Sequence, residues 1–268
     1  MKTRGFSFFI IGLIYIVSIS VGVITFLMFE DLPDIARFFV ADVFATLVIF
    51  ICSLILKNAS LYDPYWSVIP PLLLIGAAVY YQTSSFSVIL VIASLSIWAI
   101  RLTYNWASLW HGFDEIDWRY DEMKQKAPKL YLLTNLFGIQ LFPTSIVFVQ
   151  LILAILFIEK HPTTNLLTLI GSLVIVLAAF IQLISDQQMK RFKKRTKGEK
   201  KCIEEGLWKY SRHPNYFGEV MVWWGIYLIY LSMAKHLDFM IISPIMMTSL
   251  FLFIRHPLDG KKDYQDAT

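Results

Sequence analysis

Charge is scarce in this 268-residue chain: Asp, Glu, Lys and Arg make up 16% of it, against 57% hydrophobic residues. An ordinary soluble domain carries about 25% charged residues. With so few charges, no water-facing exterior can be built around a core of this size. That excludes soluble globular enzymes, disordered and fibrous proteins, and nucleic-acid-binding domains. Cysteine is nearly absent, and Cys52 in an apolar run and Cys202 in a basic one cannot form a disulfide framework or a thiolate zinc centre. His111, His161, His236 and His256 stand alone, with no His-x-x-His or Glu-x-x-His spacing, so no metal site is expected. Gly-x-Gly-x-x-Gly, Walker and Gly-x-Ser-x-Gly motifs are all missing. A nucleotide would therefore have to be held by something other than the common soluble folds. There is no internal repeat and no low-complexity linker.

What the chain has in abundance is long apolar runs. A bilayer core about 30 Å thick needs roughly 20 apolar residues per helix. Eight stretches approach that: Phe6–Phe29, Phe38–Leu56, Trp66–Tyr81, Phe86–Ile100, Leu130–Ile158, Leu166–Ser185, Val220–Ala234 and Phe239–Ile254. The third, fourth, seventh and eighth are short, which leaves room for seven spans and one re-entrant piece. The expected fold is all-α, a polytopic membrane bundle of seven or eight transmembrane helices, folded as one domain over residues 1–268. The first run is too long for a signal-peptide core and no small-residue cleavage site follows, so it reads as a retained helix.

Topology follows from the 24 Lys and Arg residues. If both termini are cytoplasmic and there are eight spans, only Arg37, Lys160 and Lys235 fall outside, as the retention of basic residues in the cytoplasm requires. The expected setting is a bacterial inner membrane or an endoplasmic-reticulum-type membrane. Two sizeable cytoplasmic loops result, residues 101–129 and 186–219, and polar chemistry in a membrane protein concentrates in such places.

The second loop begins with a basic run, Lys190–Lys201, carrying eight Lys or Arg in twelve residues. A run of this kind holds orientation and attracts anionic lipid, and it also suits a multiply phosphorylated ligand. Beyond it, Pro214 is placed for the first turn of a helix. A helix starting near His213 presents free N–H groups and its positive dipole end to an anion, with Arg212 beside them. Asn215, Glu219 and Trp223 then recur every four residues on one face, with Tyr216 alongside. Glu219 lies one turn into an apolar helix, where a carboxylate needs partners or a ligand. The aromatics Trp208, Tyr210, Tyr216, Trp223 and Trp224 are expected to form an interfacial belt.

The string Gly206-Leu207-Trp208-x-Tyr210-Ser211-Arg212-His213-Pro214-Asn215-Tyr216-Phe217-Gly218-Glu219, followed by Trp223-Trp224-Gly225, resembles the bacterial branch of the steroid 5α-reductase superfamily. Weaker similarity extends upstream through Asp63-Pro64-x-Trp66-Ser67 and Arg101-Leu102-Thr103-Tyr104-Asn105-Trp106, and the half from about residue 130 resembles the superfamily's C-terminal domain. The resemblance implies an NADPH-dependent reductase of a carbon–carbon double bond conjugated to a ketone. Its substrate would be a lipophilic small molecule entering from the bilayer. It implies cofactor contacts at Arg101, Gln182, Asp186, Lys193, Lys201, Arg212, His213, Asn215, Tyr216 and Glu219.

In the animal enzymes a Tyr three residues before the position of Arg101 binds the ketone. Here that place holds Trp98, which is no proton-transfer acid, and Tyr65, Tyr104 and Asp63 are the candidate substitutes. Asp63 beside Pro64 is equally suited to capping the third span. The stretch Arg255–Thr268 is shorter than the family's C-terminal segment, which implies weaker closure of the cofactor site.

Two other readings compete. One is a membrane methyltransferase using S-adenosylmethionine, similar to the isoprenylcysteine enzymes, which share the Arg-His-Pro-x-Tyr string. The other is a non-catalytic protein binding membrane lipids through its basic loop. The basic run and the Phe217-Gly218-Glu219 continuation favour the reductase.

Overall fold

A long apolar segment in lipid must satisfy its own backbone, and the helix is how a single segment does so. In a computed structural model, which describes residues 3–197, 199 and 201–253, all regular structure among the described residues is helical. Six helices are long and apolar enough to cross a bilayer. They lie at Arg4–Met28, Asp34–Leu56, Phe86–Leu109, Pro128–Glu159, Leu166–Thr196 and Pro214–Ala234, and they make this a multi-pass integral membrane protein. The other two predicted stretches form shorter helices: Tyr65–Tyr80, which contains Pro70 and Pro71, and Ile242–Phe253.

The chain divides into two compact units. The first comprises Met1–Gly76 and Leu102–Ile155. In it α1 (Arg4–Met28) and α2 (Asp34–Leu56) form a close hairpin. Gly22 permits the approach, because a Cβ there would sit 3.3 Å from the Ala41 carbonyl and 3.4 Å from the Ala45 Cβ. The Ser18 hydroxyl donates to the Ala45 carbonyl at 2.8 Å, and the Arg37 guanidinium donates to the Phe26 carbonyl. Small residues at a helix contact compensate for the absence of a hydrophobic drive between helices in lipid. The outer face of α1 carries Phe9, Ile16, Val23 and Leu27, all exposed as a lipid-facing surface should be. This unit also holds the start of α3 (Tyr65–Tyr80), the end of α4 (Phe86–Leu109) and the short α5 (Trp118–Lys126), which is capped by Asp117. It closes with α6 (Tyr131–Leu133), a π-helical stretch Thr134–Leu141, and most of α7 (Phe142–Glu159).

The second unit comprises Ala77–Arg101 and Leu156–Thr268, and it is dominated by α8 (Leu166–Thr196) and α9 (Pro214–Ala234). Three glycines bring these two helices together. A Cβ on Gly171 would lie 2.7 Å from the Gly225 carbonyl, one on Gly225 2.8 Å from the Gly171 carbonyl, and one on Gly218 2.4 Å from the Gln182 Cγ. At the far end Thr168 and Ser232 share a hydrogen bond, and the Asn165 amide donates to the Ser232 carbonyl. The Trp224 indole donates to Thr248 on α10 (Ile242–Phe253). The structure corrects the loop boundaries: α8 continues to Thr196, so the first half of the basic run is helical, and α4 continues to Leu109.

Candidate functional site

Glu219 is the centre of the second unit's polar chemistry. It is buried one turn into α9, four residues before Trp223 and close to Gln182 on α8. Its Oε2 accepts from the Gln182 amide at 2.7 Å and from the Trp98 indole at 3.0 Å. Its Oε1 accepts from the Trp223 indole at 3.2 Å. Trp98 and Trp223 meet edge to face with centroids 5.3 Å apart, and both are fully buried. A carboxylate taken out of water is tolerated where several N–H groups converge on it, and here three do.

Beside it, the Arg101 guanidinium donates to the Asp186 carboxylate at 2.9 Å, with side chains 7% and 16% exposed. Gln182 and Asp186 lie one turn apart on α8, so a single helix face supplies a partner to Glu219 and one to Arg101. Two buried polar atoms of this cluster have no hydrogen-bond partner among the described residues, Arg101 Nε and Gln182 Oε1. One is a donor and the other an acceptor, which is the complement of a planar amide.

Helix α9 begins as its sequence predicts, with Pro214 in the first turn and His213 at the cap, whose side chain makes no capping bond. The Asn215 side-chain oxygen accepts from the Tyr216 amide, and the Asn215 carbonyl accepts from Gln182. His213 stacks on Tyr216 at 4.9 Å and Tyr216 packs on Phe251, while Arg212 is exposed. Lys193 and Lys201 are exposed, Lys201 in an ion pair with Glu199. The basic run reaches this region through a turn at Gly206, which has φ +59° and no room for a Cβ against Gln188. The Leu207 amide donates to the Gln188 side chain there.

The structure thus brings Arg101, Gln182, Asp186, Asn215 and Glu219 together in one unit. The three candidate proton donors belong to the other unit. Tyr104 is exposed. Tyr65 is fully buried and donates to Asp42 at 3.0 Å. Asp63 accepts from the Tyr120 hydroxyl, and burial pushes its carboxyl up to about 7 against the opposing pull of Tyr120 and Arg119. The stretch Arg255–Thr268 lies outside the described residues.

One reading needs correction. Trp223 is not part of an interfacial belt, because it is fully buried and held by Glu219. Trp98 is still no proton-transfer acid, and its indole donates to the central carboxylate. Asp42, buried in an apolar helix, was missed altogether, although a lone acid within a predicted span was the available signal.

The family described as Protein of unknown function (DUF1295) matches residues 49–265, so the chain belongs to that family. This family is part of the steroid 5-alpha-reductase-like group. No curated protein and no solved structure matches the chain.

Proposed function

On the footing of that membership, we propose that the protein is a membrane-embedded NADPH-dependent oxidoreductase. Its reaction is reduction of a carbon–carbon double bond conjugated to a carbonyl, in a lipophilic steroid-like or isoprenoid-like molecule that enters from the bilayer. One observation carries the reading: a buried carboxylate fully supplied with donors stands next to two buried polar atoms that have none. Buried polar groups in native proteins are paired, and an unpaired donor and an unpaired acceptor in one cluster are what a ligand carrying both kinds of group would satisfy. A carboxamide, the polar substituent of nicotinamide, supplies both complements.

Arg101 and Gln182 would hold that end of the cofactor. Glu219 fixes the Gln182 side chain through its Nε2, which leaves the Oε1 aimed elsewhere. Asp186 holds the Arg101 fork through Nη1 and leaves Nε free. Lys193, Lys201, Arg212 and the positive dipole end at the start of α9 suit the phosphates. NADPH, when bound, supplies the hydride, and the protein supplies position and dryness. In this reading both termini, the basic run and the start of α9 face the cytosol, where NADPH is found.

The test is NADPH binding to the detergent-solubilised protein, with NADH and S-adenosylmethionine as comparators. Binding of NADPH, weaker binding of NADH and loss of binding in Gln182→Met are expected, with the variant still folded and its Tm lowered by only about 2–4 °C for the one bond to Glu219 that it loses. Preference for S-adenosylmethionine, or equal NADPH affinity in the variant, overturns the assignment.

A further inference from the structure

The first unit contains a second buried polar centre that the reductase reading does not use. Asp42 lies eight residues into α2, near the middle of an apolar 23-residue helix, and is 5% exposed. Around it the chain gathers hydroxyl groups only. The Tyr65 hydroxyl donates to the Asp42 Oδ1 at 3.0 Å. Thr46, one turn along the same helix, bonds Tyr65 and lies 3.1 Å from the Thr144 hydroxyl. Thr144 in turn lies 2.8 Å from the Tyr62 hydroxyl. Asp42, Thr46, Tyr62, Tyr65 and Thr144 thus form one continuous network, and none of them exceeds 5% exposure.

A cavity of about 10 Å³ adjoins this network. Asp42, Tyr62, Tyr65 and Thr144 line its polar side, and Ile69 and Leu151 are among its apolar walls. That is the space of one water molecule or one small ion. Asp42 is the only charged residue in the lining, and Tyr62 and Tyr65 are the only other titratable ones. Tyr65 is the one donor to the Asp42 side chain among the described residues. The Thr46–Thr144 and Thr144–Tyr62 bonds can run in either direction, so the hydroxyl oxygens are free to turn toward a guest while Tyr65 donates to the carboxylate.

An acid buried at membrane depth is expensive, and such residues mark ion or proton sites with their partners beside them. Three properties select the ligand. Every side-chain acceptor in the lining is an oxygen, the Trp66 indole being its one nitrogen group, and oxygen acceptors suit a hard cation and not a soft one. The site offers one carboxyl and so at most one negative charge, which a monovalent cation neutralises and a divalent one exceeds. The cavity admits one small particle. We propose that Asp42, Tyr62, Tyr65 and Thr144 form a binding site for a small monovalent cation, sodium. The site ties α2, the start of α3 and α7 together, and it stands independently of the nucleotide reading.

The test measures thermal unfolding of the full chain in detergent, in sodium, potassium and choline chloride at equal ionic strength and fixed pH. A saturable rise of Tm in sodium, roughly 5 °C at a hundredfold excess over Kd, is expected. It should be absent in choline, smaller in potassium and lost in Asp42→Asn. Thr144→Val, which keeps the shape and the carboxylate, should raise the sodium concentration needed for half the effect by about tenfold. A Tm indifferent to the cation overturns the proposal, as does a sodium effect unchanged in Thr144→Val. A Tm that responds to pH but not to sodium, with the response lost in Asp42→Asn, makes Asp42 a proton site and equally overturns it.

Discussion

Removing the Glu219 carboxylate is the sharpest perturbation of the cluster around it, because three donors lose their acceptor at once. The Gln182 amide and the indoles of Trp98 and Trp223 all point at it, and Gln182, Trp98 and Trp223 are each at most 2% exposed. In membrane proteins an interhelical hydrogen bond measures about 0.6 kcal/mol on average and up to about 1.7. A charged acceptor places these bonds in the upper part of that range. Taking about 1 kcal/mol for each of three bonds, Glu219→Ala should cost about 3 kcal/mol. At roughly 2–4 °C per kcal/mol for a chain of this size, Tm falls by about 6–12 °C. A double-mutant cycle then isolates one bond. Trp98→Phe keeps an aromatic ring but removes the N–H together with part of the indole; the cycle cancels the lost packing, so the coupling to Glu219→Ala should be about 1–1.5 kcal/mol. The measurement is reversible denaturation in mixed micelles of the wild type, both single variants and the double variant. Coupling below about 0.5 kcal/mol would mean that the indole and the carboxylate do not share a bond of consequence. That result refutes the argument built on this cluster.

Three further outcomes follow from the same geometry. Asp186→Ala leaves the Arg101 charge buried without its partner and should cost about 3–5 kcal/mol, whereas the double variant Arg101→Met with Asp186→Leu should recover most of it; unfolding free energies of the three decide. Gly218→Ala drives a Cβ to within 2.4 Å of the Gln182 Cγ and 2.9 Å of the Ala178 carbonyl, so it should destabilise by about 1–3 kcal/mol and weaken NADPH binding through displacement of Gln182; thermal shift and binding titration read the two effects. Asp63 has its carboxyl raised from 3.8 to about 7 by burial, so its folded form favours the proton. The stability this contributes is complete below about pH 4 and is lost as pH rises through 7. Tm should therefore decline between pH 5 and 8 more steeply in the wild type than in Asp63→Asn, and equal slopes would exclude the residue as the source.

Class and outline were legible in the composition because a bilayer imposes its demands on each segment separately. Twenty apolar residues make a spanning helix whatever the neighbours are, so helices such as Arg4–Met28 and Leu166–Thr196 could be read from their own residues. The start of α9 was equally local, since Pro214 declares a first turn and the spacing of Glu219 and Trp223 declares a shared face. Helix ends were less legible. The basic run looked like loop, but Lys, Arg and Gln are good helix formers and carried α8 on to Thr196.

What only the tertiary structure decided is which polar groups meet across helices. Trp98 and Glu219 are 121 residues apart, and Arg101 and Asp186 are 85 apart. No local period links residues so distant, and an indole in an apolar run reads the same whether it faces lipid or a carboxylate. The close crossing at Gly171, Gly218 and Gly225 that sets Gln182 beside Glu219 is likewise a property of two surfaces and not of either sequence segment. The Asp42 network has the same origin, since its hydroxyls come from α2, the turn before α3, the start of α3 and α7. Each helix followed from the water-to-lipid cost of its own backbone. The sites followed from the cost of burying polar groups unpaired, which is settled only when separate helices pack and leave each donor an acceptor, or leave a few without one.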